Sequence, residues 1–167
     1  IKNKSIHFFC VHFYITTSLV ACLSLVVLTL TGCGDDTVKT MKCSRTMDQS
    51  GIKADFQYEV TYKGNDVVTV KTVEKMETSE ENAKALEEAK KNVETMYAEY
   101  NKLDHYSNEV KVEGNVLTST TEIDYSKVDT EAMIKLDSAN GSIIKDGKIN
   151  VDDLKTMYES TGATCEK

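Results

Sequence analysis

The sequence predicts an α+β domain, an antiparallel sheet of four to five strands with one long helix packed on it and a shorter C-terminal helix. Three observations carry that prediction. FQYEVTYK alternates strictly, with Phe56, Tyr58, Val60 and Tyr62 on one face and Gln57, Glu59, Thr61 and Lys63 on the other, which is the period of a half-buried strand. SEENAKALEEAKKNVETMYAEY instead repeats its apolar residues at helical spacing. Two hairpin-like phrases, EVTYKGNDV and EVKVEGNV, stand on either side of that helix.

The elements follow in order. Lys39 to Met47 alternate weakly, enough for a first strand. After FQYEVTYK, Gly64-Asn65-Asp66 supplies a turn, and VVTVKTVEKM returns with the valines and threonines that suit a pleated surface. Thr78 and Glu81 then stand in capping-box spacing. Leu86, Ala89, Val93, Tyr97 and Tyr100 form one stripe of the helix, while Glu80/Lys84 and Glu87/Lys91 are i,i+4 pairs on its solvated side. The aromatic end, Met96, Tyr97 and Tyr100, is expected to pack on the sheet, with a ligand groove as the alternative.

HYSNEVKV, Gly114-Asn115 and VLTSTTEIDY make the second hairpin, with Leu117, Ile123 and Tyr125 sharing a side. A weak helical segment, Asp129 to Leu136, comes next. A duplicated ββα unit therefore competes with plain recurrence of hairpin grammar. The last helix starts at Asn150, whose side chain can cap, has Asp153 three residues on, and stops at Gly162.

Ahead of the domain, Lys2 and Lys4 precede a stretch from Ser5 to Thr31 that has no charged residue. This is the pattern of a secretory signal. Its end, Leu30-Thr31-Gly32-Cys33, fits a lipobox and resembles that of bacterial lipoproteins, in which Leu30, Thr31 and Gly32 are read by the signal peptidase and Cys33 carries a diacylglyceryl lipid. Two acyl chains hold a protein to a bilayer where one holds marginally, at about 0.8 kcal/mol per buried methylene. The expected organisation is residues 1–32 as a removed signal peptide, 33–37 as lipidated cysteine and tether, and 38–167 as a single domain on the extracytoplasmic face of the cell membrane. An uncleaved transmembrane anchor is the alternative.

With Cys10 and Cys22 in the leader and Cys33 given to lipid, Cys43 and Cys165 remain as a pair. Export places them in an oxidising compartment, where a structural disulfide is the leading expectation. A redox pair and two free thiols are the alternatives. There is no C-x-x-C, and Arg45 is the one nearby group that could lower a thiol pKa.

Composition narrows function further. The net charge is −7, and without Lys2 and Lys4 it becomes −9, with 18 basic against 27 acidic residues. Nucleic acid is a poor partner for such a chain. Arg45 is the sole arginine, which disfavours anionic ligands. His105 is the only histidine past the leader, so His-paired zinc sites and most triads are excluded. DGKINVDDL looks like half a calcium loop, with Asp146, Asn150 and Asp153 as weak ligand candidates, but Ser142 and Ile144 stand where its first two ligands belong.

Taken together, the lipobox followed by Gly-Asp, then TYKGNDV, ENAKALEEAKKNVETMYAEY, IDYSKVDTEAM and LKTMYESTG resemble the YehR-like lipoproteins, small bacterial lipoproteins of undefined function. The likeness runs from Tyr58 to Gly162 and implies fold and location. Its motifs transfer no catalytic residue, and the Cys43/Cys165 pair is not implied by it. The expected function is a non-catalytic, membrane-anchored binding or interaction module for an unknown protein or small molecule, without a cofactor beyond the lipid. The alternatives are a calcium-responsive domain using residues 146–153 and a cell-envelope hydrolase using paired carboxylates.

Overall fold

A computed structural model describes residues 37–49 and 51–167. Strands β1 (Val38–Gln49), β2 (Ile52–Lys63) and β3 (Asp66–Glu77) form a meander. A 3₁₀ turn leads into helix α1 (Ala83–Tyr97), and a second one leads into the hairpin of β4 (Tyr106–Glu113) and β5 (Val116–Asp124). Then come α2 (Thr130–Leu136), the small hairpin of β6 (Ile144–Lys145) and β7 (Lys148–Ile149), α3 (Val151–Ser160) and β8 (Thr164–Glu166).

The main sheet is antiparallel throughout, in the order β4-β5-β3-β2-β1-β8, with β6-β7 as a separate pair. It has six strands, against the four to five expected. The sixth, β8, is too short to show a period and is recruited by pairing with β1 through Cys43 and Cys165. There are three helices where two were expected, because Asp129 accepts the Ala132 N–H and starts a short α2 within the segment that read as weakly helical.

Register explains the layering. Met41, Val60, Val70, Ile123 and Tyr106 are direct neighbours in one row across the sheet. Residues in such a row share a face, and this row is covered. Val151, Leu154 and Tyr158 of α3 pack with Met41, Val60 and Val70 at one end, joined by Ile144 and Ile149 of the small hairpin. Leu86 of α1 packs with Val110 and Leu117 at the other. Met41 and Val60 are wholly buried, and each apolar side chain so placed contributes about 1.5–3 kcal/mol relative to exposure.

The opposite face stays open. There Glu166, Lys42, Glu59, Lys71 and Glu122 form a cross-strand row of alternating charge, with Lys42–Glu59 at 3.7 Å and Lys71–Glu122 at 2.6 Å. An apolar-in, polar-out antiparallel sheet tolerates water on such a face.

Two local expectations are overturned. No capping box forms: Thr78 is buried, its N–H donates to the Asn115 carbonyl, and its carbonyl accepts from Asn115 Nδ2 at 2.7 Å. Tied to the β4–β5 turn, Thr78 cannot cap. Residues Glu80–Asn82 are accordingly 3₁₀, and α1 begins at Ala83. Neither Glu80/Lys84 nor Glu87/Lys91 forms an ion pair among the described residues; Lys90 and Glu94 approach instead, at 3.8 Å.

Candidate functional site

The helices cover the two ends of the inner sheet face and leave its centre open. On β3, the inward residues are Val70, Thr72, Glu74 and Met76, and Thr72 lies opposite Thr121 while Glu74 lies opposite Ser119. The middle of the face is therefore polar where its ends are apolar. Above it lies a groove of about 340 Å³ bounded by six of the eight tyrosines: Tyr58, Tyr97, Tyr100, Tyr106, Tyr125 and Tyr158.

The tyrosines fall into two sets. Tyr58 on β2 stacks on Tyr158 of α3 with ring centroids 4.2 Å apart. On the β4 side, Tyr100 stacks on Tyr106 at 5.2 Å, and Tyr97 lies 6.2 and 6.5 Å from those two. Strands β3 and β5 run between β2 and β4, so Tyr58 and Tyr106 rise from strands about 14 Å apart. Tyr97 and Tyr100 thus both pack on Tyr106 of the sheet and line the groove. Met96, at the rim, is 67% exposed.

The polar floor is unevenly satisfied. Asn108 Nδ2 donates to Ser119 Oγ and Thr121 Oγ1, each at 2.9 Å. Glu74 has no hydrogen bond or ion pair among the described residues and is half-buried, and burial pushes its carboxyl pKa up. Its charge is felt on both sides. Burial first and Glu74 second raise the hydroxyl pKa values of Tyr58 and Tyr97. Burial also pushes Tyr125 up to about 12. A second carboxylate, Asp137, lines the groove but accepts the Ala139 N–H at 2.8 Å, where it starts a 3₁₀ turn.

Two other hollows, of about 460 and 410 Å³, open on the outer sheet face and share Glu59 and Lys71. Lys42 pairs with Glu59 and Lys71 with Glu122 across the strands, and Asp124 pairs with Lys127.

The residues singled out in sequence are placed as follows. Leu30, Thr31, Gly32 and Cys33, with the leader, lie outside the described residues. Cys43 and Cys165 are bonded to each other across β1 and β8. Arg45 lies over the Phe56 ring at 5.6 Å and donates to Met47 Sδ. Asp146, Asn150 and Asp153 do not converge. Asp146 and Gly147, both with positive φ, make the two-residue turn between β6 and β7, as a type I′ turn requires. Asn150 caps α3 by accepting the Asp152 N–H at 2.8 Å, and Asp153 lies in the first turn of that helix. Among the described residues, no group of three or more His, Cys, Asp or Glu side chains is arranged to hold a metal ion.

Glu74 went unnoticed in sequence, although a signal existed. Strict alternation puts it on the same face as Val70 and Met76, and a charge facing inward on a strand needs a reason.

Fold and site define a two-layer α+β domain, with a broad antiparallel sheet covered on one face by helices that part over a tyrosine-lined groove. The chain belongs to the family described as Protein of unknown function (DUF1307), which it matches over residues 39–164. It is 29% identical over 141 residues to Uncharacterized lipoprotein Lmo0207 of Listeria monocytogenes, covering 83% of this chain and 87% of that one. In fold it is similar to the NMR structure of the E. coli YehR protein, with a TM-score of 0.56, 20% identity and coverage of 79% of this chain and 93% of that one. It is also similar to the NMR structure of a protein from Streptococcus pneumoniae TIGR4, with a TM-score of 0.54, 19% identity and coverage of 82% and 90%. The YehR resemblance read from the sequence therefore holds.

Proposed function

We propose that this protein is a lipid-anchored envelope protein that binds a ligand, without transforming it, in the groove between the two tyrosine sets. The observation that carries the reading is Glu74: a half-buried carboxylate without a partner among the described residues, on the floor of a cavity walled by aromatic rings. Convergent aromatic surface with a few polar groups is the usual composition of a ligand site. An exposed Met96 at the rim adds apolar surface that a ligand would cover.

The anchoring half of the reading is supported by Leu30-Thr31-Gly32-Cys33 and by the lipoprotein name of the Listeria relative. The expected place is the extracytoplasmic face of the cell membrane. Metabolic labelling with a radiolabelled fatty acid tests it: label should enter the parent and not Cys33→Ala. Equal labelling of the two would overturn it.

The binding half is tested with phenethyl alcohol, phenethylammonium and 3-phenylpropionate, three probes that share an aromatic body small enough for the groove. At least one should shift the ring resonances of Tyr97, Tyr100 and Tyr106. Silence from all three overturns the reading.

A second reading, hydrolysis, is favoured by one observation: Glu74, with a raised pKa, and Asp137 line the same groove, and paired carboxylates in unlike environments are the usual acid and base of glycan hydrolysis. Against it, Asp137 is engaged in a backbone cap. Release of reducing ends from purified cell-wall glycan, lost in Glu74→Gln, would favour it over plain binding.

A further inference from the structure

The charges that line the groove are all of one sign. Glu74 and Asp137 are its acidic side chains, and among the described residues no lysine, arginine or histidine borders it. Lys71 and Lys75, the nearest basic residues along β3, alternate to the outer face, where Lys71 pairs with Glu122. On that outer face every carboxylate of the central row has a lysine as its cross-strand neighbour. Glu74 lies in a row of Arg45, Phe56, Ser119 and Val110. Arg45, the one cation of that row, is two strands away and occupied by Phe56 and Met47.

An anionic ligand entering here would meet two like charges and no compensating group. A neutral one would leave a partly desolvated carboxylate unpaired beneath it, at a cost. A cation removes that cost and is in addition attracted by the negative faces of the surrounding rings. Ser119 and Thr121 accept from Asn108 Nδ2, and neither makes a hydrogen bond to Glu74 among the described residues.

We propose that the groove selects an organic cation: an amine or quaternary ammonium on an apolar or aromatic body, its charged head at Glu74 and its body between the Tyr58/Tyr158 pair and the Tyr97/Tyr100/Tyr106 set. The proposal rests on the reading of the groove as a binding site and adds the chemical class of what it holds. Charge complementarity selects the head, and the span between the two tyrosine sets, with Met96 at its mouth, accommodates a body the size of a single ring or a short branched chain.

The test compares phenethylammonium, phenethyl alcohol and 3-phenylpropionate, which carry one phenyl ring on similar tethers with positive, zero and negative charge. Each is titrated into the full chain in maltoside micelles, by calorimetry and by tyrosine emission, with empty micelles as blank. The chain has no tryptophan, and six of its eight tyrosines line the groove, so emission reports on the site. The ammonium should bind about tenfold more tightly than the alcohol, and the carboxylate more weakly than either. Glu74→Gln should abolish the preference, bringing the ammonium and the alcohol to the same affinity. Equal affinities for ammonium and alcohol in the parent, or a preference that survives Glu74→Gln, would overturn the cation proposal and leave the groove a binding site. Binding of none of the three would overturn both.

Discussion

Cys43 on β1 and Cys165 on β8 stand directly opposite each other in the antiparallel register and are joined by a disulfide across 122 residues of sequence. The bond ties the last strand to the first and encloses nearly the whole domain. Beside it, Cys43 belongs to the same buried cluster as Met41, Val60 and Tyr158. In the chain-entropy account, closing a loop of this length stabilises by up to about 5 kcal/mol. Cys165→Ala should therefore lower the unfolding free energy by about 2–5 kcal/mol. Urea titration of parent and variant measures this, and the parent in reductant should approach the variant.

Glu74 should make the domain less stable at neutral pH than it would be without the charge. Burial raises its carboxyl pKa above the ordinary 4.5, so the folded state holds the proton more tightly than the unfolded state does. Stability from this group is present below 4.5 and is lost as pH rises through the raised folded value. Glu74→Gln should then be more stable than the parent at neutral pH, by less than about 1 kcal/mol because solvent screens a part-exposed group, with the advantage vanishing below the window. Thermal unfolding of both proteins across the acidic range checks the sign. A variant less stable than the parent at neutral pH would show that Glu74 has a partner.

The tyrosine sets give an alkaline counterpart. Burial raises the pKa values of Tyr58, Tyr97, Tyr106, Tyr125 and Tyr158 above the ordinary 10.0. Neutral phenols are thus favoured in the folded state, and that stability holds below 10.0 and disappears above it as the unfolded chain ionises first. Absorbance at the phenolate band should lag the titration of free tyrosine and then rise together with loss of circular dichroism. Independent titration of these residues in a still-folded protein would contradict the burial on which the groove is built.

Much of the fold was legible because strong periods survive tertiary packing. The alternation of Phe56 to Tyr62 and the helical stripe from Leu86 to Tyr97 both appear where the sequence places them, while Tyr100, expected on the same helix, falls in the 3₁₀ turn that follows it. What escaped was set by distant partners. Thr78 has capping chemistry, but Asn115 takes both of its backbone groups. Residues 164–166 carry no strand period and become a strand because Cys43 is opposite Cys165. The groove combines residues of β2, β3, β4, β5 and all the helices, so no local spacing announces it. The inward position of Glu74 among Val70, Thr72 and Met76 was its one visible trace.

The stretch from Asp146 to Asp153 should behave as a turn and a cap. With φ at +50°, Asp146 occupies a left-handed position that glycine and asparagine also accept, so Asp146→Gly should be close to neutral, whereas Asp146→Val should cost about 1–2 kcal/mol. Asn150 closes the first turn of α3 through the Asp152 N–H, and Asn150→Ala should cost about 1 kcal/mol. A calcium loop makes a different prediction: glycine at 146 would remove a ligand and abolish any stabilisation by the ion, and the Asn150→Ala deficit would depend on whether the ion is present. Denaturation of parent, Asp146→Gly and Asn150→Ala, each in millimolar calcium and in chelator, separates the two accounts. Turn and cap roles require deficits that are the same in both media, since backbone geometry and a side-chain cap are indifferent to the cation.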